Sequence, residues 1–345
     1  MVKMETAGDD VTIDVRGLSK TYPGGIEAVK GVSFQVRRGE VFGFLGPNGA
    51  GKSTTIMMLI TLIRPTSGVA TVNGFDIIKD PYRVRMQLGY VSQDLAVDDN
   101  LTGRENLRLQ AGLYHLSKEE AEARISEVLD LVGLKERCND RVESYSGGMR
   151  KRLDIACGLI HRPRILFLDE PTLGLDIQTR HEIWRHIERL RSENEMTIFL
   201  TTHYMDEADA LCDRIAIIDR GVIKAVDSPA ALKSQLGGDV IYLRFDAACE
   251  HATAATLEAL KELPEIKEIS PRGEDHVVVA RNGDWLLPRI FETAQEKGAR
   301  INSVSLKRPT LDDVYLAYTG RTLRDGQGSR EEAHRQMIAM RRIRK

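Results

Sequence analysis

The sequence predicts an α/β fold, a mostly parallel sheet covered by helices on both faces, followed by a smaller α+β unit. Two observations lead there. Short apolar runs at residues 41–45, 88–91, 165–168, 197–200 and 215–218 alternate with longer segments of helical period. That is the pattern of buried parallel strands joined by crossover helices. After the pair Gly237-Gly238 the order changes to strand, helix, two strands, helix, strand. A chain of 345 residues is long enough for two such domains.

Taken in order, the run at 41–45 meets a glycine-rich turn and then a helix expected to continue to Ile63, before Pro65. Between about residues 100 and 145 the strand signals stop, and Ala121, Ile125, Val128, Leu129 and Val132 recur at helical spacing. We read an α-helical insert over about 94–160, with its last helix at 150–160. Strands at 165–168, 197–200 and 215–218 complete the sheet. Beyond 238 we expect strands at 240–245, 266–270, 277–280 and 301–306, with helices near 252–263 and 285–297. The βαββαβ order is that of a ferredoxin-like domain. The expected division is 1–238, 239–320 and a tail at 321–345, where eight Lys or Arg face three Asp or Glu. Such a tail reads as solvated.

Composition narrows the function classes. Apolar residues at 42% and charged residues at 29% exclude collagen-like, disulfide-scaffold and largely disordered chains. A net charge of -2 singles out neither nucleic acid nor an acidic surface as partner. Cys138, Cys157, Cys212 and Cys249 form no CxxC pair, which fits a reducing cytosol. Residues 1–10 lack the apolar core of a secretory signal, and no stretch reaches the roughly 18 apolar residues that span a bilayer.

The chemistry is carried by Gly46-Pro47-Asn48-Gly49-Ala50-Gly51-Lys52-Ser53, a GxxxxGK[ST] phosphate loop between a strand and a helix, with Thr54 next in line. Its backbone amides and helix amino end suit phosphate oxygens, Lys52 suits the β and γ phosphates, and Ser53 suits Mg²⁺. Asp169 and Glu170 end a strand as apolar as a central one. Asp169 is expected to hold Mg²⁺, and Glu170 to polarise water as general base. No Asn is followed by Lys, so the guanine-reading NKxD segment of GTPases is missing. Ser144-Tyr145-Ser146-Gly147-Gly148-Met149 opens a further helix with a second anion-binding turn.

In this order the motifs resemble the nucleotide-binding subunit of an ABC transporter, over residues 11 to about 230. Tyr145-Ser146-Gly147-Gly148-Met149 is similar to the LSGGQ signature and departs from it at the first and last positions. The resemblance implies that Tyr22, 24 residues before Gly46, stacks on adenine. It likewise implies that Gln93 is the Q-loop glutamine touching Mg²⁺ and the attacking water. Asp176, in Gly174-Leu175-Asp176, falls in the D-loop, and His203 is the switch histidine. The implied machine is a homodimer, or a pair with a related cassette, holding two ATP between the phosphate loop of one copy and Ser146-Gly147-Gly148 of the other.

A separate polytopic membrane permease would take up the stroke, with this chain peripheral on the cytoplasmic face of the cell membrane. The close at residues 306–315 and 318–320, with Leu101-Thr102-Gly103-Arg104-Glu105-Asn106-Leu107, resembles the daunorubicin-resistance branch of export ATPases, implying export of a drug, lipid or glycan. The competing reading is a soluble ABC-type ATPase acting on ribosomes or nucleic acid. A single cassette, no paired cysteines and no sustained heptads weigh against it.

Overall fold

The computed structural model describes residues 10–236, 238–246, 249–272 and 274–319. The expectations for residues 1–9, Gly320 and the tail fall outside them. The described chain divides into two compact units that meet in sequence at Ser228 and Pro229, so residue 238 lies inside the second.

The first unit opens with β1 (Val11–Tyr22), β2 (Ile26–Arg37), β3 (Val41–Leu45), α1 (Lys52–Leu59), β4 (Ser67–Val72), β5 (Phe75–Asp76), α2 (Pro81–Gln87) and β6 (Leu88–Val91). Three helices follow: α3 (Gly103–Leu113), α4 (Lys118–Leu131) and α5 (Gly147–Leu159). The chain then returns to the sheet through β7 (Ile165–Asp169), α6 (Ile177–Asn194), β8 (Thr197–Thr202), α7 (Met205–Leu211), β9 (Arg214–Asp219) and β10 (Val222–Asp227).

Six strands form one sheet in the order β10-β9-β3-β8-β7-β6, parallel throughout except for the antiparallel edge pair β9–β10. Every residue of β3, β7 and β8 is buried, because helices cover both faces and leave no polar side to alternate with. Beyond the fold expected from the sequence, a second, antiparallel sheet runs β2-β1-β4-β5. Its β1 pairs with both β2 and β4 through repeated register shifts. Such bulges displace side chains from the two-residue alternation by which a strand is read.

Two helix limits also differ from expectation. The helix after the phosphate loop stops at Leu59 rather than Ile63, since Thr61 takes a left-handed φ of 65° that ends the α-helical ladder. Ile63 still packs on the core, which is why its periodicity looked helical. The helix expected from 150 begins at Gly147, where the Ser146 hydroxyl accepts a hydrogen bond from Met149 N. In the insert, α3 and α4 each begin with a full capping box, Thr102 with Glu105 and Ser117 with Glu120.

The second unit comprises α8 (Pro229–Gln235), β11 (Asp239–Phe245), α9 (Glu250–Lys261), β12 (Ile266–Arg272), β13 (Asp275–Ala280), α10 (Gly283–Lys297), β14 (Ile301–Lys307) and α11 (Leu311–Thr319). Its antiparallel sheet runs β12-β13-β11-β14. That is the ferredoxin-like arrangement expected from the βαββαβ order.

Beneath the phosphate loop, Phe199 on β8 packs against Phe34, Phe42, Phe44 and Phe167 with ring centroids 5.3–6.0 Å apart. Removing a fully buried ring leaves a cavity that close-packed neighbours cannot refill. Phe199→Ala should therefore destabilise the protein by about 3–5 kcal/mol in denaturant unfolding. A loss below about 1 kcal/mol would show that this cluster is not what holds the sheet together.

Candidate active site

Strand order assembles the site. β8 lies between β3 and β7, so the loop after β3, the carboxylates ending β7 and the histidine after β8 emerge side by side at the carboxyl edge of the sheet. The loop from Gly46 closes on α1 through Gly51, whose φ of 105° is left-handed and whose added Cβ would lie 2.5 Å from the Ala28 carbonyl oxygen. A side chain there is excluded on both counts. The result is a cleft of about 230 Å³ lined by Ala28, Pro47, Asn48, Gly49, Gly51, Lys52, Ser53, Thr54, Gln93 and Glu170.

At its floor three charged or polarisable groups meet. Lys52 Nζ donates to the carbonyls of Gly46 (2.7 Å) and Pro47 (3.2 Å) and pairs with Glu170 Oε1 at 3.0 Å. His203 Nδ1 lies 3.0 Å from the other oxygen, Glu170 Oε2. Burial alone would raise the Glu170 carboxyl, but the His203 hydrogen bond and the Lys52 charge outweigh it and bring it down to about 2. Glu170 sits at φ 48°, where its amide donates to the carbonyl and the hydroxyl of Thr201, both at 3.1 Å. That non-glycine residue in left-handed geometry stores on the order of 1 kcal/mol of strain at this carboxylate.

Asp169 is set deeper. Its Oδ1 accepts hydrogen bonds from Ser53 Oγ (3.2 Å) and Thr201 Oγ1 (2.5 Å), and burial pushes its carboxyl up despite them.

The structure thus brings Pro47, Asn48, Gly49, Gly51, Lys52, Ser53, Thr54, Gln93, Asp169 and Glu170 together with His203, while Gly46 and Ala50 do not line the cleft. Tyr22 does not line the cleft. Its ring is 6% exposed, with its hydroxyl 3.4 Å from Thr54 Oγ1, so stacking on a base requires the ring to leave this packing. Ser146 and Gly147 lie exposed outside the cleft of their own chain. Beside them Asp176 caps α6, accepting from Thr179 N at 3.0 Å. A Cβ on Gly148 would lie 2.4 Å from Thr179 Cγ2, so the signature turn and the start of α6 are in close contact. Tyr145, where the signature has leucine, is buried in the insert and donates to the Arg137 carbonyl at 2.7 Å.

Two buried polar ties went unread in the sequence. On α5, Lys151 Nζ donates to the Ser92 carbonyl at 2.8 Å and pairs with Asp154 at 3.5 Å, while Asp154 Oδ1 accepts from Ala96 N at 3.4 Å. Together they clamp the segment around Gln93 to the signature helix. On α7, the fully buried Glu207 Oε1 accepts from Thr172 Oγ1 (2.7 Å) and Trp184 Nε1 (3.0 Å), and burial raises its carboxyl. It joins the helix after His203 to the turn after Glu170. No local motif signals either tie, because apart from the Lys151–Asp154 pair itself the partners lie 23 to 59 residues away.

An α/β crevice with a phosphate loop, paired carboxylates and a histidine aimed at them defines an ABC-type ATPase. Residues 29–173 match the family described as ABC transporter, and residues 228–319 match the ATP-binding protein DrrA1-3-like C-terminal domain. The chain is 38% identical to the linearmycin resistance ATP-binding protein LnrL of Bacillus subtilis, over 91% of this chain and all of that one. It is 41% identical to the doxorubicin resistance ATP-binding protein DrrA of Mycobacterium tuberculosis, over 90% and 94% of the two. Among solved structures it resembles the ATP-binding cassette MJ0796 in a dimeric post-hydrolysis state bound to ADP and Pi, with 28% identity, a TM-score of 0.57, and 63% and 98% coverage. The chain belongs to the ABC transporter ATP-binding proteins, in the group carrying the DrrA-like C-terminal domain.

A carboxyl depressed in the folded state contributes stability above its unfolded value of about 4.3, and that stability is lost as pH falls toward its folded value. Wild type should therefore lose its advantage over Glu170→Gln in thermal midpoint as pH drops below about 5. A gap that stays constant down to pH 3 would refute the Lys52–Glu170–His203 coupling. At the second tie, Glu207→Ala strands two buried donors and should cost about 2–5 kcal/mol, whereas Glu207→Gln, which still offers an acceptor, should cost far less. Equal losses in chemical denaturation would contradict the hydrogen-bond assignment.

Proposed function

We propose that this protein is the ATP-hydrolysing subunit of an export complex, in which two copies, or one copy and a related cassette, close around two ATP molecules. They act on a separate polytopic membrane permease that moves a drug, lipid or glycan. One observation carries the reading: Lys52, Ser53 and Glu170 line one small cleft, with His203 hydrogen-bonded to Glu170 and Asp169 to Ser53, while Ser146 and Gly147 face solvent elsewhere on the same subunit. A cleft of about 230 Å³ is under the roughly 300 Å³ that small-molecule sites usually enclose. It suits the phosphate end of a nucleotide and leaves the rest to another surface, which an exposed Ser-Gly-Gly helix start on a second copy would provide.

Ser53 and Asp169, already in hydrogen-bond contact and with Gln93 at the rim, suit Mg²⁺, which takes one or two protein ligands and completes its shell with phosphate oxygens and water. Bound there, the ion would neutralise charge developing on the phosphates. Lys52 moves from Glu170 to the β and γ phosphates, and His203 to the γ-phosphate. Glu170, released from both, orients the attacking water and accepts its proton. Asp176, bonded to Thr179, and Gly148, packed on the same threonine, carry the closing contact across the pair. Among the described residues no helix is long and apolar enough to cross a membrane, which is consistent with a peripheral place on the cytoplasmic face. The resistance proteins named above support a drug-like cargo, and the C-terminal unit serves as an accessory domain.

Glu170→Gln should lower ATP turnover at least about 100-fold while preserving ATP binding. Trapped with ATP, that variant should co-purify a polytopic protein from detergent-solubilised membranes of the source cell. Recovery of ribosomes or nucleic acid in its place would overturn the export reading.

A further inference from the structure

In the second unit, one end of the antiparallel sheet gathers positive charge from four separate elements. The register aligns Ile266 with Ala280, Ala280 with Asp239, and Val240 with Lys307. The start of β12, the end of β13, the start of β11 and the end of β14 therefore open onto the same place. There Lys267, Arg281 and Arg308 meet Lys233 from α8 around a cleft of about 530 Å³, with Ser234 and Asn282 on its wall.

The neighbouring carboxylates are already committed. Asp239 accepts from Gly283 N at 2.6 Å, Asp284 pairs with Arg308, and Glu265 pairs with Arg289 at 3.2 Å. Among the described residues, the side chains of Lys267 and Arg281 have neither a hydrogen-bond partner nor an ion-pair partner. Like charges held around one concavity repel, and focusing in a cleft strengthens their attraction for an anion. The wall is rich in donors: an ammonium, a guanidinium and an amide, while the Ser234 hydroxyl already donates to the Ala231 carbonyl at 2.8 Å. Its one carboxylate, Asp239, is already engaged. Phosphate answers that imbalance better than a carboxylate does, having more acceptor oxygens and more negative charge, and a guanidinium can bind it bidentately. The volume exceeds what a lone phosphate fills and lies within the usual range for organic ligands, about 300–1,000 Å³.

We propose that this cleft is a second anion site, separate from the ATP site, that takes a phosphate group carried on an organic molecule, either free in solution or as the headgroup of an anionic lipid. Lys267 and Arg281 bind the phosphate, and Asn282 and Ser234 contact what it is attached to.

The full chain can be titrated calorimetrically with pyrophosphate, and tested for sedimentation with phosphatidylglycerol/phosphatidylcholine vesicles against pure phosphatidylcholine. Wild type should show pyrophosphate binding that persists when saturating ATP occupies the phosphate loop. Lys267→Gln/Arg281→Gln should lose that binding at least tenfold in affinity, with thermal midpoint and ATP binding unchanged, since both side chains are exposed. Lys267→Ala alone should show a smaller loss of the same kind. Vesicle binding that requires phosphatidylglycerol and vanishes in the double variant would identify a lipid headgroup. Pyrophosphate binding without it would identify a soluble ligand. Absence of both in wild type, or survival of both in the double variant, overturns the proposal and leaves the ATPase assignment untouched.

Discussion

The site depends on a buried charge being answered. Lys52 and Glu170 are 4% and 7% exposed, and either alone would be too costly to keep ionised at that depth. Each therefore holds the other, with His203 closing the far side of the carboxylate. In the mechanism proposed above, the resting subunit would be a poor catalyst, because a carboxyl held near 2 accepts protons reluctantly. A ligand that drew Lys52 and His203 away would return basicity to Glu170. On that proposal the requirement for nucleotide is built into the electrostatics of the pocket as well as its shape.

That array can form only because the sheet places β8 between β3 and β7 and buries all three strands completely. The phenylalanine cluster fixes the strands from beneath, and the two polar ties fix the loops above. Through Lys151 and Asp154 the segment around Gln93 follows the signature helix, and through Glu207 the helix behind His203 follows the turn behind Glu170. Segments distant in sequence are so coupled by single buried side chains, whose displacement would strand donors or acceptors away from water.

What could be read in the chain beforehand follows the same physics. Strands buried on both faces announce themselves as unbroken apolar runs, and 41–45 and 88–91 were legible to the residue. The phosphate loop, Asp169 and Glu170 were legible because their chemistry demands particular residue types at fixed spacing. The antiparallel sheet was not, since the shifts along β1 break its alternation. Lys151, Asp154 and Glu207 were hidden for a different reason: a polar residue on a helix looks solvated until the fold reveals what stands opposite. Tyr22 shows the converse limit, where a motif indicated a role but not the buried state of the ring in this conformation.

The position of β3 has a consequence for biosynthesis. The strand that carries the phosphate loop is made early, yet its neighbours are β8 and β9, roughly 150 residues later. At ribosomal speeds of about 5–20 residues per second, it waits on the order of 10 s or more for its first partner. Throughout that interval five consecutive residues destined for the interior stay unpaired on a growing chain, while α3 and α4, with their own caps, can organise locally. Completion of the nucleotide site is among the last events of the cassette's synthesis, and a chain interrupted before residue 197 would present an apolar strand with neither of its pairing neighbours.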